Sequence, residues 1–330
     1  MLGTFRLILA LLVALSHANV TVSGLNPGVV AVVCFYLISG YVMTGLLRTH
    51  YPDAWRIPHF YLDRALRIFP QYLAMAGLTL LWFFIAGRTT PFLLQEPQWR
   101  DLFANVIVVP LNYFMFNASD RFTLVPPAWS LGAEIQFYLL MPFLLLWRAR
   151  AIAFAIGVLV FGMAAWGTLN TDTFGYRLLP GVLIFFLLGA ALYDAHDRSA
   201  ARGKLVVIGG VAVAIAGMLI LMWHGHLSLL YNKETLLGVV IGLPALYWLG
   251  RLPQHALDNR LGDLSYGVFL NHFLIQWAFL GEPVGIRALL FYLATCIAMS
   301  ALTQYLVERP VLQWRRNLRA AKPINAVVPG

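Results

Sequence analysis

Arg6 and His17 stand eleven residues apart within the apolar stretch 5–22. On an α-helix that spacing is three turns plus about 20°, so guanidinium and imidazole share one face about 16 Å apart along the axis. A charged side chain held deep in a bilayer costs about 2.5–3.5 kcal/mol unless it meets a partner or a wet cavity. An imidazole titrates near neutrality, so His17 suits proton transfer, and a histidine hydrogen-bonded to a neighbouring helix fits the spacing equally well. Arg64 and Arg67, at i and i+3, share a face just before Pro70, which should loosen the helix. Planar guanidinium forks match phosphate oxygens, so the pair suits an anion, with plain topological anchoring as the other reading. Glu134 follows the turn at Pro126 and Pro127, a turn or so inside a helix that Ser130 is placed to cap. It is placed to act as a base, to orient an imidazole, or simply to complement the helix dipole. His272, eleven residues after Leu261, brings a second imidazole to mid-span, where packing and catalysis both fit.

The elements that must position these groups are membrane helices. The 330 residues are 60% hydrophobic and 11% charged, with a mean hydropathy of +0.75. That leaves too little polar surface for a soluble globule, and repeated apolar runs are long enough to cross about 30 Å of hydrocarbon. The net charge of +9 is therefore read by location before it is read as affinity for nucleic acid, for which no partner role is expected. Cys34 and Cys296 both fall within apolar runs, which implies neither a disulfide framework nor a zinc site. His224 and His226 are too sparse for a metal centre, and no Walker, GxGxxG, HExxH, CxxC or GxSxG motif occurs. Residues 7–18 have the outline of a short signal peptide, but the next apolar run follows at once, so a first membrane span is expected instead.

The apolar runs predict an all-α, polytopic helical bundle of about ten transmembrane helices. The spans are placed at 5–23, 28–47, 62–86, 131–147, 150–167, 176–193, 204–223, 234–250, 263–280 and 286–307. Residues 102–116, short and interrupted by Pro110 and Asn112, are expected to lie in the outer interface or to re-enter between the third and fourth helices. With ten spans and an inner amino terminus, 17 of the 23 lysines and arginines lie inside and 6 outside; if 102–116 crossed, 9 would be inside and 14 outside. The positive-inside rule thus favours ten spans, with both termini cytoplasmic. Trp55, Trp82, Trp129, Trp147, Trp166, Trp223, Trp248, Trp277 and Trp314 fall near span ends, as an interfacial belt would. Gly238 and Gly242 form a small-xxx-small pair suited to close helix packing. Residues 1–310 read as one membrane domain and 311–330 as a short basic cytoplasmic tail.

In chain order stand Arg6 with His17, then Phe35, Tyr36, Leu37, Ile38, Ser39, Gly40 and Tyr41, then Arg64, Arg67 and Pro70. Trp129, Ser130, Leu131, Glu134, Gln136, Phe137 and Tyr138 follow, and then Leu261, Gly262, Ser265, Tyr266 and Gly267 lead up to His272. Glu308, Arg309 and Pro310 close the set. This ordered set, spanning nearly the whole chain, resembles the acyltransferase-3 family of integral membrane acyltransferases, which O-acylate sugars of surface polysaccharides and related glycans. The resemblance implies an acyl-CoA donor, commonly acetyl-CoA, at the cytoplasmic face of an inner (plasma) membrane, a carbohydrate acceptor from the other face, and no metal. It assigns Arg6, Arg64 and Arg67 to the CoA phosphates, His17 and Glu134 to catalysis, and Trp129, Ser130, Tyr138 and His272 to the substrate. Polysaccharide-assembly proteins are the implied protein partners. Two positions depart from the family pattern: Asp63 stands where a basic residue is frequent and could pair with Arg64, and Ala31 replaces a glycine. No esterase-like domain follows the membrane part, so acceptor chemistry is expected within the membrane domain or on a separate protein. The rival function is a transporter or flippase for a lipid-linked sugar or small anion, its histidines and arginines lining a path without covalent chemistry.

Overall fold

The computed structural model describes residues 1–320 apart from Trp147, Gln254 and Glu282. The expectations for Trp147 and for 321–330, including Lys322, lie outside the described residues. Regular structure among the described residues is helical, with extended chain paired only in isolated bridges such as Val22 with Leu25. The helices are α1 (Leu2–His17), α2 (Pro27–His50), α3 (Ile57–Ala86), α4 (Trp99–Ile107), α5 (Phe114–Asn117), α6 (Ala128–Leu146) and α7 (Arg150–Ala165). They continue with α8 (Leu179–Arg198), α9 (Ala200–Trp223), α10 (Asn232–Arg251), α11 (Ala256–Ile275), α12 (Ile286–Thr303) and α13 (Arg309–Ala320). Each expected span overlaps one helix. Six helical stretches are long and apolar enough to cross a membrane, and Leu2–His17 and Arg150–Ala165 are shorter apolar helices. The chain is therefore an all-α membrane protein.

Two local expectations are corrected. The first helix, expected over 5–23, ends at His17: Asn19 takes a left-handed φ of 57°, and the chain closes into the Val22–Leu25 bridge. Asn26 then restarts helix, its side-chain oxygen accepting from the amides of Gly28 and Val29 at 2.9 and 3.3 Å ahead of Pro27 at the first turn. α3 runs on through Pro70 to Ala86 without a break. Residues 102–116 form no single helix, because the chain turns at Val108, where φ is 67°, between α4 and a tight turn leading to α5. A nine-residue helix such as α4, about 14 Å long, is too short to cross.

α1 lies between α2 and α11. The Asp258 carboxylate of α11 accepts from the Gly3 and Thr4 amides at 3.0 and 2.8 Å and from the Thr4 hydroxyl at 2.7 Å, which satisfies the first turn of α1. α2 crosses α8 through facing glycines. A Cβ on Gly40 would sit 1.8 Å from the Phe186 carbonyl oxygen, and one on Gly189 would sit 1.9 Å from that of Leu37. Gly238 and Gly242 do press α10 onto α2, against Val33 and Leu37. Because Gly40→Ala forces two backbones apart, it is expected to cost about 1–3 kcal/mol and to lower the melting temperature of the purified protein in detergent. Gly77→Ala, where nothing lies within 4 Å, is the control that should leave it unchanged.

Candidate active site

Packing of α1, α2, α3, α6 and α11 collects the predicted polar residues into cavities arranged in series. At the Arg6 end a vestibule of about 260 Å3 is lined by Gly3, Arg6, Val42, Asn259 and Asp263 among others. Arg6, Ile38 and Val42 also line the next cavity, an inner chamber of about 150 Å3 that contains Ser39, Arg64, Arg67, Glu134, Tyr138 and Tyr266. Val32, Ser130 and Phe269 are shared in turn with an outer chamber of about 60 Å3, where His17 meets Trp129, Tyr176, Arg177 and Tyr231. The two chambers thus adjoin at Val32, Ser130 and Phe269.

In the inner chamber the two α3 arginines already have carboxylate partners. Arg64 donates to Asp63 through Nε at 3.1 Å and also through its terminal nitrogen. Arg67 donates to Glu308 and lies over the Tyr266 ring at 5.3 Å. Arg315 of α13 reaches Asp63 at 3.4 Å and Glu308 at 3.7 Å, which joins both pairs into one network. Arg6, half-buried, makes no hydrogen bond or ion pair among the described residues. Glu134 accepts from the Ser39 hydroxyl at 2.7 Å and from the Tyr138 hydroxyl. The Glu134 carboxylate therefore faces the arginine chamber rather than the chamber of His17.

His17, at the carboxyl end of α1, is half-buried, and its ring nitrogens make no hydrogen bond among the described residues. Its ring stacks on His272 at 5.3 Å and tilts against Phe273 at 4.7 Å. His272, expected at the substrate, lies fully buried behind His17 and lines neither chamber. Its Nδ1–H donates to the Val268 carbonyl at 3.2 Å, which leaves Nε2 as an acceptor without a partner among the described residues. Ser130, where the chambers adjoin, gives its hydroxyl to the Pro127 carbonyl at 3.0 Å. Trp129, expected both at the interface and at the substrate, is half-buried in the outer chamber.

Arg177 escaped the sequence reading, which counted it only as an outer-side cation. Its guanidinium lies over the Trp129 ring at 4.5 Å while its Nε donates to both Asp172 oxygens at 2.8 and 2.9 Å. Asn112 is the second unforeseen residue: fully buried, it donates to the carbonyls of Trp129 and Arg177, both at 3.0 Å, and so fixes that wall. An asparagine inside an apolar run was the only signal for it. An aromatic wall with a paired cation beside a free imidazole suits a polyhydroxylated ligand, whose ring faces stack and whose hydroxyls accept and donate.

No solved structure matches the chain. An uncharacterised protein of Aquifex aeolicus (strain VF5) is 36% identical over 59% of this chain and 90% of its own. Nodulation protein 10 of Rhizobium leguminosarum bv. viciae is 26% identical over 90% of this chain and 84% of its own. A Staphylococcus aureus (strain COL) protein provisionally named an O-acetyltransferase is 21% identical over 99% of this chain, which spans only 61% of that relative's length. Residues 2–308 match the acyltransferase-3 family, described as an acyltransferase domain, with His17 and the arginine chamber inside the matched region, and the chain belongs to that family.

Proposed function

We propose that this protein moves an acyl group, commonly acetyl, from cytoplasmic acyl-CoA to a hydroxyl of a surface or periplasmic polysaccharide or lipid-linked sugar. The observation that carries this reading is the series of cavities running from an unpaired guanidinium at one end of the bundle to an unpaired imidazole at the other. The O-acetyltransferase name of the staphylococcal relative supports acetyl as the group. Ten spans with both ends cytoplasmic, and 99–117 held at the outer face, agree with the 17 inner cations.

In this reading the vestibule takes the CoA nucleotide, and the pantetheine arm runs past Arg6 into the inner chamber. Arg6 is the principal anion contact, since Asp63 and Glu308 already engage Arg64 and Arg67. The acceptor sugar rests on Trp129 and Arg177. His17 removes the proton of the sugar hydroxyl as its oxygen attacks the thioester carbonyl; the C–O bond forms, the C–S bond breaks, and the departing CoA thiolate recovers the proton. Glu134, with Ser39 and Tyr138, orients the acyl end.

The test is supply of labelled acetyl-CoA to membrane vesicles containing the protein. Label on glycan is the expected result; movement of sugar or anion without label would replace transfer by transport. Arg6→Gln removes charge-assisted hydrogen bonds worth about 1.5–3 kcal/mol each, so CoA affinity measured by calorimetry should fall by about tenfold or more. The acceptor KM should not change.

A further inference from the structure

We infer that the protein holds an anionic phospholipid of the cardiolipin type in a groove between α7 and α9, at the Arg6 end of the bundle. The groove, floored by α8, has a volume of about 910 Å3 and shares no lining residue with the vestibule or either chamber. Five arginines converge on it from three stretches of the chain: Arg48 of α2, Arg148 and Arg150 at the α6–α7 turn, and Arg198 and Arg202 flanking the α8–α9 turn. The one carboxylate in the lining, Asp194, engages Arg48 at 2.8 Å and Arg150 at 2.5 Å. Arg148, Arg198 and Arg202 are exposed and make no ion pair among the described residues. Arg148 sits in the tight α6–α7 turn with a left-handed φ of 53°, so its side chain leaves the bundle where that turn directs it.

The same groove has an apolar wall of Phe154, Leu187 and Leu205. From it the outward faces of α7 and α9 run on toward the other end through Ile152, Ile156, Ile208 and Val213, all exposed. α9 is the most apolar of the candidate spans and the least covered, with 11% of its window buried. A positive-inside signal needs only cations in a loop, whereas these converge above exposed aliphatic side chains of α7 and α9. Guanidiniums at the headgroup level over exposed aliphatic ridges fit a lipid carrying two phosphates, whose chains lie along α7 and α9. A free nucleotide or phosphate would leave the ridges unused. The inference stands apart from the acyl-transfer reading, since it uses no residue of the chambers.

The experiment is titration of the full-length protein in phosphatidylcholine nanodiscs with cardiolipin, read by thermal shift, with native mass spectrometry of the detergent-solubilised protein for stoichiometry. Cardiolipin is expected to raise the melting temperature and to bind as one lipid per chain, and phosphatidylcholine to do neither. The Arg148→Gln, Arg198→Gln, Arg202→Gln triple variant should bind on the order of a hundredfold more weakly. Each single variant, which removes only an exposed unpaired side chain, should lose about fivefold and so covers any failure of the triple variant to fold. Cardiolipin binding by the variants within about twofold of wild type would overturn the proposal. Equal protection by phosphatidylcholine would overturn it too, as would equal protection by inorganic phosphate alone.

Discussion

His17→Ala is expected to lower acyl transfer by about two to four orders of magnitude, the usual contribution of a positioned general base. Protein yield, membrane insertion and CoA affinity should be retained. The imidazole is half-buried at the end of α1, its nitrogens bound to nothing else among the described residues, so a ring nitrogen is open to a hydroxyl held in the outer chamber. His17→Asn is the sharper variant, because it keeps polarity and much of the volume against His272 and Phe273 but cannot serve as a base. Both variants should behave alike in initial-rate assays with labelled acetyl-CoA. Purified His17→Ala protein that still acylates at a normal rate would remove His17 from the chemistry.

Glu308→Ala should be the most destabilising of the single substitutions considered, at about 3–5 kcal/mol, because it strips the partner from a buried cation. Glu308 is almost fully buried, and Arg67 and Arg315 both lean on it. Replacing both members, Arg67→Met with Glu308→Leu, should recover most of that loss, since apolar residues of similar volume need no counter-charge. Thermal unfolding in detergent of the two singles and the double decides the matter. A double variant no more stable than Glu308→Ala would mean that the network does more than neutralise charge.

Hydropathy located the apolar helices, six of them in stretches long enough to cross a membrane, because that property is local: a span must be apolar over its own length. The end of α1 was not legible, since Ala18, Val20 and Val22 continue the apolar pattern past His17. What stops the helix is the reverse turn that returns the chain to α2. Within the site, the shared face of Arg6 and His17 and the adjacency of Asp63 and Arg64 followed from spacing. The partner of Arg67, Glu308, lies 241 residues away, a distance no local pattern bridges. Arg177 carried no periodic signal; only the tertiary approach of Trp129 and Asn112 makes it part of a wall.

Val32, Ser130 and Phe269 form the shared boundary of the two chambers, with Ser130 held by Pro127 and Phe269 edge-on to Phe35. In the proposed reaction this seal performs the work of an airlock. An activated thioester stored on one side would be exposed to hydrolysis by every water entering from the other, so sealing must take precedence over speed of entry. A sugar hydroxyl, rather than bulk solvent, then becomes the oxygen nearest the acyl carbon when the seal opens, and waste of the donor is limited by how rarely it opens without an acceptor in place.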